Sequence, residues 1–483
     1  MVALGLLLVL VLLMRPALHL LFTANRDVDE RTPPPPGTID DASRLNRTAV
    51  AEVWPVPPTS GAERELAAVL ERARELGLPV SIAGARHSMG GHTFYPGGLV
   101  VDMRPHVAME LDESRDILRV QSGALWSDVI PYLDARGRSV AVMQSNNSFS
   151  VGGSLSVNCH GWQFDRGPIA STVESLRLMQ ADGSIVRCAR TENAELFSLV
   201  LGGYGLFGII LDVELRVVEN ERYRLEQHVV PLAQSLATFD RRVDGEPDVR
   251  MVYARLCIVP DRLFDEVIIS AFFMEAGEVP ELSGRGLPDL RRAMFRGSVG
   301  SDYGKHLRWS AETEIEPLLT DKSFSRNQLL NEGVAVFENR TEGSTDVLHE
   351  YFVPRTGVVA FVKAMREIIP AHDADLLNVT VRSVNRDEDT FLRYADQRMI
   401  AFVMLFTQAR TEAGEADMRT MTRGLIEAAI AAGGRHYLPY RLHATRDQFH
   451  RAYPQARRFF ELKRHYDPNE LFRNGFYRTY GAE

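Results

Sequence analysis

Three short stretches limit this chain more than anything else in it: "SIAGARHSMGGH" (81–92), "SNNSFSVGGSLSVNCHG" (145–161) and "LGGYGLFGII" (201–210). Each sets glycines among small polar or apolar residues, and they recur at intervals of about sixty residues. Glycine lets the main chain approach another group closely and adopt positive φ. Successive amides in such a turn form a concave anion site. The first loop fits neither GxGxxG nor GxxxxGK[ST]. The chain's lysines are Lys305, Lys322, Lys363 and Lys463, so the first half offers no Walker-type lysine. A Gly/His turn taken alone serves structure as readily as function. The second loop adds Ser145, Asn146, Asn147, Ser150, Ser154, Ser156, Asn158 and His160, a density of small polar groups suited to a polar ligand. The third breaks an apolar helix-to-strand transition with glycines, which implies close approach of another chain or a ligand. Together the three loops point to one extended ligand with a diphosphate.

The segments between them read as mixed α+β. "SGAERELAAVLERARELG" places Leu66, Val69, Leu70, Ala73 and Leu76 at helical spacing, and Gly77 supplies a stop. "PVSIAG", "GLVVDM" and "DILRVQSG" read as strands, and "LWSDVIPYLDARG" as a helix. Asp182-Gly183 lies between two alternating apolar runs and predicts a hairpin. This is not a regular βαβ series, which argues against a doubly wound Rossmann domain. From 219 to 434, strand-like stretches and two amphipathic helices predict an antiparallel sheet with covering helices. The tail, 435–483, reads as a helix and a compact loop.

Composition closes off several classes. With 483 residues, 45% hydrophobic and 25% charged, the chain is ordinary globular material of two or three domains. A net charge of −9 argues against a general nucleic-acid binder. Cys159, Cys188 and Cys257 make neither a disulfide framework nor a CxxC pair, and no metal site is expected. Residues 1–22 are apolar apart from an interruption at Arg15 and Pro16. Signal peptide and anchor are both open readings. The missing basic n-region and poor cleavage site favour a single uncleaved membrane anchor, with the side of the membrane unresolved. Residues 23–46 are charged and proline-rich, as in an extended spacer.

"GARHSMGG", "SVGGSLSVNCHG", "ADGSIV…AELFSLVLGGYGLFGII" and "HYDPNELFRN" occur in that order. In this the chain resembles the FAD-linked oxidases of the vanillyl-alcohol oxidase type, and among them the aldonolactone and alditol oxidases. The resemblance implies a two-part PCMH-type FAD-binding domain over 47–218 and a cap, or substrate, domain over 219–434. It also implies that the C-terminal tail returns to the FAD domain. FAD would lie against Gly84, Ala85, Arg86, His87, Ser88, Gly90 and Gly91. From the second loop it would meet Ser145, Asn146, Ser150, Gly152, Gly153, Ser154, Asn158, His160 and Gly161. Gly208 and Ile209 would complete the site, with Arg473 and Asn474 from the tail. In many members the histidine of a G-x-x-H-S pattern is bonded to the flavin 8α-methyl, which makes His87 the candidate tether; an imidazole nitrogen is a competent nucleophile. Non-covalent relatives exist, so His87 as a contact stays open; Cys159 is displaced from where doubly tethered members carry a second attachment, so no second bond is expected.

On the substrate side these oxidases carry a Glu-x-Arg pair on a cap strand. Here the match is Thr380-Val381-Arg382, with the acid replaced. Arg382 is expected to stabilise negative charge. A family lysine falls at "YRLHATRD", where Arg446 or His443 stands in. Glu350 is read as cap scaffold or pocket rim. The expected activity is oxidation of a hydroxyl-bearing carbon of an aldonolactone, alditol or similar sugar-derived substrate by hydride transfer to flavin N5. Oxygen or another acceptor would then reoxidise the flavin. The lost acid and the apolar N-terminus keep two alternatives: a lipid-linked sugar or sterol as substrate, or a non-catalytic flavin-binding, membrane-tethered protein.

Overall fold

A computed structural model describes residues 2–284, 286–315 and 323–482, with the side chains of residues 2–13 outside that description. After a small pair, β1 (Thr38–Ile39) with β2 (Thr48–Ala49), two sheets build the first half. β3 (Glu52–Pro55), β4 (Val80–Ala83) and β5 (Leu99–Asp102) form a parallel sheet in the order β3-β5-β4. The helix Ala62–Glu75 crosses from β3 to β4 and buries Leu66, Val69, Leu70 and Ala73, the stripe its spacing predicts. β6 (Met109–Asp112), β7 (Ile117–Gln121), β8 (Arg138–Val140), β9 (Val173–Met179), β10 (Ile185–Ala189) and β11 (Ile209–Glu219) form a second, antiparallel sheet. β9 and β10 are the hairpin expected at Asp182-Gly183, with Gly183 at φ 88°. Met179, Ile209 and Leu211 of this sheet pack into the same cluster as Val80, Leu99 and Val101, which fixes the two sheets against each other.

The second half is one eight-stranded antiparallel sheet. Its strands are β12 (Arg222–Pro231), β13 (Val249–Leu256), β14 (Glu266–Met274), β15 (Ser323–Ser325), β16 (Ser344–Pro354), β17 (Asp375–Val384), β18 (Met399–Ala409) and β19 (Arg435–His436). The order is β15-β12-β14-β13-β17-β18-β16-β19. Alternation along each strand sends one set of side chains to covering helices and the other to the first half. Tyr351 and Phe402 pack on Phe361 of the helix Val358–Ile368, and Met418, Met421 and Leu425 bury the helix Glu412–Ala431.

The tail returns as expected. Val80 donates its N–H to Leu471 O at 2.7 Å, Arg473 donates to Val80 O at 2.9 Å, and Phe472 pairs in parallel with Val80. At the other end a helix spans Val2–Arg26. Its last part docks on the helix Pro288–Arg296: Asp27 pairs with Arg292, and His19 Nε2 lies 2.8 Å from Gly297 O. Much of the apolar stretch read as a membrane anchor lies outside the described side chains. Among the described residues no helix is long and apolar enough to cross a membrane. Residues 29–34 do not stand clear of the body as a spacer; Asp29, Arg31, Thr32, Pro33 and Pro34 form part of a cavity wall.

Candidate active site

One cavity of about 990 Å³ runs between the two halves. That is the upper end of the usual range for ligand sites, in keeping with a dinucleotide plus a small substrate. Its first wall is the loop after β4. Gly84, Ala85, Arg86, His87 and Ser88 all line it. Gly84 has no room for a side chain: a Cβ there would sit 2.0 Å from Ser150 Oγ. Arg86 takes φ 57°, in the left-handed region, which turns the chain between neighbouring amides. The amides of Arg86, His87 and Ser88 donate to no acceptor among the described residues. Ser88 Oγ is buried and unpartnered. Three open amides and a free hydroxyl in a turn without lysine suit an anion as large as a diphosphate.

The second wall is the helix Val151–Ser156. Ser150 caps it, accepting from Gly153 N, and bonds the first loop through Ala85 N at 3.3 Å. Ser145, Asn146, Ser150, Gly152, Gly153, Ser154 and His160 line the cavity. Ser122 joins them, its Oγ also buried and unpartnered. The third wall is 204–208 with Ile210. Gly208 stands at φ 147°, where a Cβ would meet Met179 O at 2.6 Å. The donor set and the cradle fit FAD.

His87 sits at the inner end of the first loop, its ring 4.4 Å from that of Phe149. Burial lowers its pKa, so the imidazole is neutral near pH 7 and has a lone pair to offer. Cys159 also lines the cavity, but burial pushes its thiol up to about 12, which keeps it protonated.

The fourth wall is the cap sheet. β13 pairs Arg255 with Thr380 of β17, which pairs with Val403 of β18, which pairs with Glu350 of β16. Residues on this row and two positions away share one face. That face presents Tyr253, Arg255, Asn378, Thr380, Arg382, Val403, Leu405, Leu348 and Glu350 to the cavity. Arg382 donates to His160 O at 3.3 Å and to Ser145 Oγ at 3.0 Å, and its Nε is buried and unpartnered. It therefore clamps the second loop while holding a donor in reserve. Glu350 is 3% exposed, with Oε1 2.5 Å from His160 Nε2, and Oε2 accepts from Tyr440 OH at 3.3 Å.

Nine residues named from the sequence stand outside the cavity lining. Arg446 points away, donating to Thr479 O and Ala482 O. His443 is buried against Glu415 at 2.9 Å and Thr422 at 3.1 Å. Gly91 bonds Asp41 and Gly475, and Gly90 packs on Tyr440 O, so the end of the first loop is structural glue. Asn158 bonds Asp387, Gly161 is pressed on Met143 O, and Ile209 is core. Arg473 and Asn474 hold the tail to β4 and Tyr204. Sequence reading passed over Tyr253, Arg255 and Asn378; the signal was a polar residue at every second position of an otherwise apolar strand.

Two family models match the chain: an FAD binding domain over residues 59–189, and D-arabinono-1,4-lactone oxidase over residues 301–480. Among curated relatives, cytokinin dehydrogenase 10 of Oryza sativa subsp. japonica is 24% identical over 85% of this chain and 82% of its own length. L-gulonolactone oxidase of Mus musculus is 28% identical over 35% of this chain and 37% of its own length. D-arabinono-1,4-lactone oxidase of Yarrowia lipolytica is 27% identical over 43% and 41%.

Proposed function

This chain belongs to the FAD-linked oxidases of the vanillyl-alcohol oxidase type and is an FAD-dependent oxidoreductase, and from that premise we propose that it oxidises a hydroxyl-bearing carbon of a sugar lactone or polyol. The observation that carries the reading is the continuity of one cavity from the Gly84–Ser88 cradle to the polar face of the cap sheet. A carbon held against that face lies in the same cavity as the cofactor. FAD supplies a two-electron acceptor that takes a hydride. The chain does the rest. Open amides of the first loop hold the diphosphate, and His87 tethers the cofactor by an imidazole nitrogen. Arg382 stabilises the negative charge that grows on the substrate oxygen as its proton leaves. Asn378 and Thr380 offer hydrogen bonds to neighbouring hydroxyls.

Anaerobic mixing with a panel of L-gulono-1,4-lactone, D-arabinono-1,4-lactone, xylitol and a lipid-linked sugar tests this. Bleaching of the yellow flavin by lactones or polyols is expected. Bleaching by the lipid-linked sugar alone would replace the proposal with that substrate class.

A further inference from the structure

We propose that Glu350 is the catalytic proton acceptor for the substrate hydroxyl, doing from β16 what the related oxidases are expected to do with an acid at the position of Thr380. The inference rests on the reading above and names the residue that removes the proton.

Register is the first support. Thr380 and Glu350 both pair with Val403, so they lie on one row and one face of the sheet, two strands apart. At about 4.8 Å per strand the backbone positions differ by roughly 10 Å, a distance that two side chains leaning inward largely close. Both residues line the cavity.

Chemistry is the second. Among the described residues Glu350 pairs with no arginine or lysine; its one charge partner is His160, at 2.5 Å. Buried carboxylates are rare unless paired with a permanent cation. One held by an imidazole and a phenol is positioned to exchange a proton. The groups facing it are His160 from the second loop, Tyr437, Tyr440 and Tyr453 from the tail, and Tyr394. Burial raises the four tyrosines above their ordinary values. Glu350 and His160 are the pair in direct contact, Oε1 to Nε2 at 2.5 Å. His160 Nδ1 is buried and unpartnered, which gives the couple an open second nitrogen.

Arg382 donates to the carbonyl of the same His160, so cation and carboxylate are fixed to one backbone segment. A substrate oxygen between them gives its proton to a Glu350 oxygen while its carbon gives a hydride to the bound FAD. The O–H and C–H bonds break and a C=O bond forms. The substrate loses two electrons and FAD gains them. The proton ends on Glu350 as a carboxylic acid.

The test is the rate of flavin bleaching by L-gulono-1,4-lactone or xylitol across a pH series, in wild type, Glu350→Gln and Tyr440→Phe. Glu350→Gln is expected to retain FAD, lower the rate about 10²–10⁴-fold and lose the limb at which activity falls with acid. Formate is expected to restore part of the rate in Glu350→Ala. Tyr440→Phe removes one hydroxyl and keeps the ring, so it covers the case of a poorly folding Glu350 variant. It is expected to move the acid limb to higher pH, because the carboxylate loses a donor. A carboxylic-acid infrared band that appears on reduction of wild type and is absent from Glu350→Gln is the matching spectroscopic sign. Glu350→Gln within threefold of wild type and with the same pH profile would overturn the proposal. Wild type that dithionite bleaches but no carbinol donor does would overturn the oxidase reading itself, before any variant is compared.

Discussion

In the proposed site His87 would join the two ends of the cofactor, because it lies on the cavity-lining loop after β4 and deep enough for burial to lower its pKa. His87→Ala is expected to release all flavin to the supernatant on acid precipitation, while wild type keeps its colour in the pellet. Colour retained in the variant pellet would assign the bond elsewhere. Arg382 works at the other end. Removing its charge with Arg382→Met is expected to slow flavin reduction by substrate about 10²–10³-fold with FAD content unchanged, as measured by anaerobic stopped-flow. Loss of FAD instead would mean that its clamp on Ser145 and His160 O is its main role.

At the scale of elements, the first loop and the helix Val151–Ser156 are built around each other. Gly84 is tolerable only because nothing projects from it toward Ser150. Gly84→Ala is expected to destabilise the protein by about 1–3 kcal/mol and to lower FAD occupancy. Ser150→Gly removes the clashing hydroxyl and Cβ, and costs a few tenths of a kcal/mol as a helix cap. The double variant should therefore recover part of both losses, read by thermal unfolding and by the flavin-to-protein absorbance ratio. This pairing marks what was legible in the sequence. Glycine density along the chain announced the cradle, because positive φ and close approach need glycine wherever the fold puts them. The helix Ala62–Glu75, the β9–β10 hairpin and the covering helices were legible for a similar reason: their periodicity is local. Glu350 was not. Its role depends on Val403 lying between it and Thr380, a register between strands about fifty and twenty residues apart in the chain. Arg446 and His443 misled because a motif match carries no orientation. One turn of chain sends Arg446 to the tail carbonyls and His443 into the Glu415 contact.

For the whole molecule, two buried histidines tolerate acid poorly. His92 packs beneath the first loop with Nε2 2.9 Å from Leu438 O, and His436 lies on β19. Burial lowers both to about 4. Between that value and about 6.5 the unfolded chain takes up these protons and the folded chain does not. Stability should therefore fall as pH drops from about 6.5 toward 4, by up to about 3 kcal/mol for each histidine. Urea midpoints taken at about pH 7 and about pH 5 check the sign; an unchanged or higher midpoint at the lower pH would contradict it. The same architecture places the Gly84–Ser88 loop of one half against a polar sheet face of the other, with the tail hydrogen-bonded to β4. The claim that this junction is an oxidase site for carbinol substrates is tested most directly by adding L-gulono-1,4-lactone, D-arabinono-1,4-lactone and xylitol to the oxygen-free, FAD-loaded protein. At least one of them is expected to bleach the flavin, and oxygen or an artificial acceptor is expected to restore the colour. Flavin that dithionite reduces and that none of these donors touches would contradict it.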